Sequence, residues 1–177
     1  MRSRFAAFTL VELGATLAIA AVLLALALPP LTQLRAHVQT RSASHALSAS
    51  FAGARLAAVT RRRPVSVCPV DAAGHCRSDG VWDQGWMVYY DPDRRRAPRA
   101  PSDILRTAEP GKGVRVRSSA SRSHVRFLPQ GRTGGSNLSL MVCSGHPRVD
   151  GTRVVLSNGG RIRSERLAPG HPACRGA

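Results

Sequence analysis

The chain has 177 residues with 26 Lys+Arg against 10 Asp+Glu, a formal net charge of +16, and its 43% hydrophobic content supplies a core and excludes wholesale disorder. Lys112 is the only lysine, so the positive charge is almost all arginine, and such a balance suits an anionic partner: nucleic acid, an acidic membrane surface or an acidic protein. An Ala/Arg/Gly/Pro-rich chain is also what a biased genome produces, so only a placed cluster of arginines carries functional weight.

From Leu13 to Leu34 there is no charged residue. A run of this length spans a bilayer as a helix, which takes about 20 mostly apolar residues. Arg2 and Arg4 precede it, and the positive-inside tendency keeps them cytoplasmic and exports the rest of the chain. A cleaved secretory signal would end in a small-x-small site before a polar mature start. Ala25 and Ala27 give only a weak version, and Leu28, Pro29 and Pro30 come directly after. Glu12 argues against that reading, because a carboxylate inside an apolar segment is costly and marks a function.

A short basic leader, then Ala7-Phe8-Thr9-Leu10-Val11-Glu12-Leu13, then an apolar helix, resembles the class III signal of type IV pilins and type II secretion pseudopilins. The resemblance implies that a prepilin peptidase cuts between Ala7 and Phe8 and methylates the new Phe8 amine. Ala7 stands where the family usually has Gly, a departure that bears on the efficiency of cleavage. It also implies a leader at 1–7, a transmembrane and assembly helix at 8–34, and a periplasmic globular domain at 35–177. The expected location is the bacterial inner membrane, single-pass, and a pilus or pseudopilus after assembly with other pilin subunits. A free Phe8 amine can pair with Glu12 of the same or a neighbouring subunit. In low dielectric that pair is strong and an unpaired Glu12 is penalised.

The helical pattern continues past the apolar run. Leu31, Leu34 and Val38, then Leu47, Phe51, Ala54 and Ala58, keep amphipathic spacing. Pro29-Pro30 is expected to kink or loosen the helix, and Arg61-Arg62-Arg63 before Pro64 to end it near residue 60. His37 and His45 are expected in solvent. Strand-forming runs lie at Val65–Cys68, Val81–Tyr90, Val114–Arg117, Val125–Leu128, Leu138–Val142 and Arg153–Leu156. Asp91–Asp103 and Gly131–Asn137 read as exposed loops, with Asp91 and Asp93 as turn formers. The fold class is α+β, with a long N-terminal helix packed on a mostly antiparallel sheet. Trp82-Asp83-Gln84-Gly85-Trp86-Met87-Val88-Tyr89-Tyr90-Asp91 resembles the W-x-x-G-W-x-V-F-x-D stretch of the FimT/GspH-type minor pilins and pseudopilins. Ile104-Leu105-Arg106, Phe127–Arg132 and Gly160–Arg163 fall in that family's order.

Cys68, Cys76, Cys143 and Cys174 all lie beyond the apolar segment, where an even count favours disulfides. Three pairings exist. The Asp71–Gly74 turn favours Cys68 with Cys76, which leaves Cys143 with Cys174. His75, His146 and His171 lie near cysteines, but no C-x-x-C knuckle accompanies them, and no metal or cofactor is expected. Acids are few and no G-x-S-x-G elbow occurs, so an enzyme is not expected.

The sharpest site signal is Asn158-Gly159-Gly160-Arg161-Ile162-Arg163-Ser164-Glu165-Arg166, a tight turn followed by an extended segment. Period two places Arg161 and Arg163 on one face, and guanidiniums beside glycines suit phosphate oxygens. Arg148, Arg153 and Arg166 are candidate neighbours. The segment is similar to the G-R-x-R motif of FimT-like minor pilins, which implies sequence-independent DNA binding in natural transformation. The alternative is a structural minor pilin or GspH-like pseudopilin that primes or caps a filament without binding DNA.

Overall fold

The computed structural model describes residues 9–119, 122–135 and 137–175, with the side chains of 26–30 outside this set. The leader, the Ala7–Phe8 bond, Arg2 and Arg4 lie outside the described residues. The chain divides into two compact units, Met1–Arg35 and Ala36–Ala177. One helix, α1 (Leu10–Thr60), contributes to both.

In the first unit Thr9 caps α1. Its hydroxyl accepts the Glu12 amide at 3.2 Å and its carbonyl accepts the Leu13 amide at 3.1 Å. Thr9-x-x-Glu12 has capping-box spacing, and Glu12 in the first turn complements the helix dipole. Leu10, Val11, Leu13, Leu17, Ile19 and Val22–Leu24 are all exposed. Among the described residues no helix is long and apolar enough to cross a membrane. Pro29-Pro30 does not end α1.

The second unit is built around the remainder of α1. Ala43, Leu47, Phe51, Ala54 and Ala58 form one buried stripe, while His37 and His45 stay in solvent. The helix ends where sequence places its stop: Arg62 turns to a φ of 50°, and the Arg63 guanidinium lies 4.8 Å over the Tyr90 ring. Eight strands come after it: β1 (Val65–Pro69), β2 (Trp86–Tyr90), β3 (Ile104–Ala108), β4 (Val114–Ser118), β5 (Val125–Phe127), β6 (Leu138–Ser144), β7 (Gly151–Leu156) and β8 (Ile162–Leu167). They make two four-stranded antiparallel sheets in the orders β3-β2-β1-β5 and β4-β6-β7-β8. The helical stripe meets Val65, Val67, Trp86, Val88 and Phe127 of the first sheet and Val116, Leu140, Val142, Val154 and Leu156 of the second in one core.

The run Val81–Tyr90 forms a strand only from Trp86. Gly85, at φ 109°, breaks it, and a Cβ there would sit 2.5 Å from the Ala108 carbonyl. The first half instead docks on β4, where the Trp82 amide donates to the Val116 carbonyl and Asp83 accepts the Val116 amide at 2.6 Å. This segment ties the sheets together. Trp82 and Trp86 are fully buried; Trp82 meets Phe51 edge-on, and Trp86 Nε1 donates to Ser50 Oγ at 2.9 Å. Both cysteine pairs are bridged, Cys68 with Cys76 and Cys143 with Cys174. The latter ties the short helix α2 (Pro172–Arg175) to β6. The two loop expectations change as well. Gly131 and Thr133 of Gly131–Asn137 are buried. Asp91, read as part of an exposed loop, is 2% exposed, because it accepts Ser66 Oγ at 2.8 Å and the Arg95 amide at 2.9 Å.

Candidate nucleic-acid interface

The β7–β8 connection is a tight turn. The Gly160 amide donates to the Ser157 carbonyl, the Ser157 amide to the Arg161 carbonyl, and the Arg161 amide to Ser157 Oγ at 3.2 Å. Gly160 has a φ of 75° and lies against the Gly131 carbonyl so closely that any Cβ would collide with it. Arg55 of α1 donates to that same carbonyl at 3.0 Å, and Thr133 donates to the Asn158 carbonyl through its amide at 3.0 Å and its hydroxyl at 3.2 Å. Helix, Gly131 loop and Gly160 turn are therefore one hydrogen-bonded unit. The exposed Arg132 is brought beside Asn158.

Arg161 and Arg163 are both exposed and line a groove of about 860 Å³ that also includes Ala52, Leu56 and Val59 of α1. Arg163 lies 3.3 Å from Glu165, which also faces Arg153 at 3.5 Å. Arg161 has no acidic partner among the described residues. The strand register separates the other candidates from this pair. Leu156 pairs with Ile162 beside the turn, and Gly151 with Leu167 at the far end. Arg148 precedes β7 at that far end, and Arg166 sits there bonded to Asp150. Six residues of strand separate the two ends by about 20 Å. The structure thus brings Arg161, Arg163 and Gly160 together, turns Arg153 toward Glu165, and sets Arg148 and Arg166 apart. Sequence reading missed Arg132. The Gly131-Arg132-Thr133-Gly134-Gly135 run was its one signal, and only tertiary hydrogen bonds carry it to the turn.

A helix packed on antiparallel sheets, with a capped N-terminal helical unit ahead of it, is the subunit architecture of pilin-type filaments. The chain belongs to the GspH family: the family model described as type II transport protein GspH matches residues 43–160, and the chain is a GspH/FimT-type minor pilin or pseudopilin. No curated protein matches it. Among solved structures it is similar to the type IV minor pilin FimU of Pseudomonas aeruginosa, at 21% identity and a TM-score of 0.58, covering 71% of this chain and 87% of that one. A second crystal form of FimU gives 22% and 0.54, covering 71% and 91%. The minor pseudopilin EpsH of the type 2 secretion system of Vibrio cholerae gives 12% and 0.52, covering 75% and 99%. At these identities the likeness is one of fold.

Proposed function

We propose that the protein is a minor pilin of a type IV pilus that grips DNA without sequence preference and supports DNA uptake in natural transformation. The observation that carries this reading is the exposed Arg161–Arg163 pair on a glycine turn braced from behind by Arg55 and Gly131. Arginine forks match phosphate oxygens, and a braced turn loses little freedom on binding. The contact between Arg163 and Glu165 is solvent-exposed, so it is worth at most about 1 kcal/mol and yields to a phosphate. Arg132 supplies the third contact. The groove offers no Phe, Tyr or Trp for base stacking, so binding reads chiefly the backbone. In this proposal residues 8–34 anchor the subunit in the inner membrane, prepilin peptidase cuts at Ala7–Phe8, and Glu12 pairs with a Phe8 amine during assembly.

The test is a titration of the full-length chain in non-ionic detergent with double-stranded DNA across salt. Three phosphate contacts give a log–log salt slope near −3. Arg161→Ala with Arg163→Ala removes most of the affinity. Binding that survives the pair of substitutions unchanged sinks the clamp. A second reading, a structural minor pilin or type II secretion pseudopilin, draws support from the acidic partners that Glu165 and Asp150 offer to Arg153, Arg163 and Arg166. It requires no loss of DNA affinity in the same variant, because there is none to lose.

A further inference from the structure

A second set of arginines lies outside this turn, around a cavity of about 560 Å³ lined by Arg94, Arg96, Arg122, His124 and Arg126. That volume is within the range of small-ligand sites. The cavity's one acidic lining residue is Asp91, and its carboxylate is already engaged. Oδ2 accepts Ser66 Oγ and lies 3.6 Å from the Arg126 Nε and 3.8 Å from the His124 Nε2, while Oδ1 accepts the Arg95 amide. Arg126 is fixed by donating to the backbone carbonyls of Asp91 and Pro92 at 3.0–3.3 Å. Arg94, Arg96 and Arg122 have no acidic partner among the described residues. Cations therefore outnumber the single spent carboxylate, and burial with the Arg96 and Arg126 charges pulls the His124 imidazole below its ordinary value despite Asp91.

The backbone that presents these side chains is strained. Arg94 and Arg96 adopt φ of 58° and 60°, a conformation that costs a non-glycine residue free energy. The strain is held by Asp91, which caps the Arg95 amide, and by Asp93, which pairs with Arg95 and Arg99. A loop held in this way to carry arginines at alternate positions, beside an unneutralised cavity, is poorly explained by folding alone.

We propose that this cavity is a binding site for a phosphoryl group, taken as a phosphate monoester or pyrophosphate, or as the terminal phosphate of a nucleic-acid strand. Guanidiniums from loop 94–96, from Arg122 and from β5 supply forked donors to its oxygens, and the anion neutralises charge that the fold leaves unpaired. The site stands independently of the Arg161–Arg163 reading.

The experiment uses the full-length chain in non-ionic detergent, titrated with pyrophosphate and followed by calorimetry and by the ring signals of its histidines. Saturable binding that moves the His124 signals and leaves His37 and His45 in place is expected. Arg94→Gln with Arg122→Gln weakens it by about tenfold or more, and Arg161→Ala with Arg163→Ala changes it less than about twofold. Arg96→Gln alone serves the same purpose should the double variant unfold in a thermal melt. Competition by an oligonucleotide carrying a 5′-phosphate but not by its 5′-hydroxyl counterpart assigns the site to strand ends; equal failure of both assigns it to small phosphates. Absence of saturation by about 10 mM pyrophosphate, binding that moves no His124 signal, or affinity unchanged in the arginine variants overturns the proposal.

Discussion

Glycine at position 160 is where backbone geometry and the candidate interface meet. Gly160→Ala would force a Cβ into the Gly131 carbonyl at a φ of 75°, and the turn would have to move. A loss of about 2 kcal/mol or more in guanidinium unfolding is expected, together with weaker DNA binding. Ser50→Ala tests the core in the same experiment. It leaves the fully buried Trp86 Nε1 without its acceptor, at a cost of about 1–3 kcal/mol. His124 sets a pH dependence. It is packed beside Tyr89 at 3.0 Å, with Asp91, Arg96 and Arg126 also facing it, and its imidazole lies below the ordinary value chiefly because of burial. The folded state therefore favours the neutral ring. Its contribution is complete above about pH 6.5, the unfolded value, and declines as pH falls through the lower folded value. Thermal melts between pH 5 and 8 are expected to show this decline, and His124→Gln to flatten it; equal slopes in both proteins would contradict the assignment.

Individual elements show what sequence pattern can and cannot reach. The stripe Leu47, Phe51, Ala54 and Ala58 was legible because helical period alone determines one buried face. Strands β1, β4, β6 and β7 were legible because Val and Leu recur at their buried positions between turn residues. Strand β3 was not, since Leu105, Arg106 and Thr107 are all exposed and an edge strand needs no apolar alternation. The split of Val81–Tyr90 was hidden because what divides it is a close approach to the Ala108 carbonyl, invisible to local propensity. Of the candidate site, the Gly160–Arg163 turn was legible as a motif. The convergence of Arg132 depends on the Thr133–Asn158 hydrogen bonds, and the separation of Arg148 and Arg166 on strand register; both join residues far apart in the chain. The cross-links permit an element-level prediction. Replacing Cys143 and Cys174 by Ser frees a loop of 31 residues and costs about 3.5–4 kcal/mol, whereas replacing Cys68 and Cys76 frees 8 and costs about 2.5 kcal/mol. Denaturant midpoints of the two variants should fall in that order.

For the whole molecule, Glu12 is the residue with the longest reach. It lies in the first turn of α1, beside the Thr9 cap, and the proposed processing would make its carboxylate a partner for a Phe8 amine. Glu12→Ala is expected to lower recovery of the subunit in sheared filaments while its amount in the membrane fraction stays the same; unaltered recovery would remove the pairing idea. Each sheet also has two outer strands, β3 and β5 in the first and β4 and β8 in the second. All four carry arginine: Arg106 on β3, Arg126 on β5, Arg115 and Arg117 on β4, Arg163 and Arg166 on β8, and the outer edge of β4 is also covered by Trp82 and Asp83. Unpaired strand edges are templates for uncontrolled aggregation, and charged side chains blunt them. A subunit meant to polymerise in one geometry must not also polymerise in another. Guarded borders keep crowded copies from zipping edge to edge into amyloid.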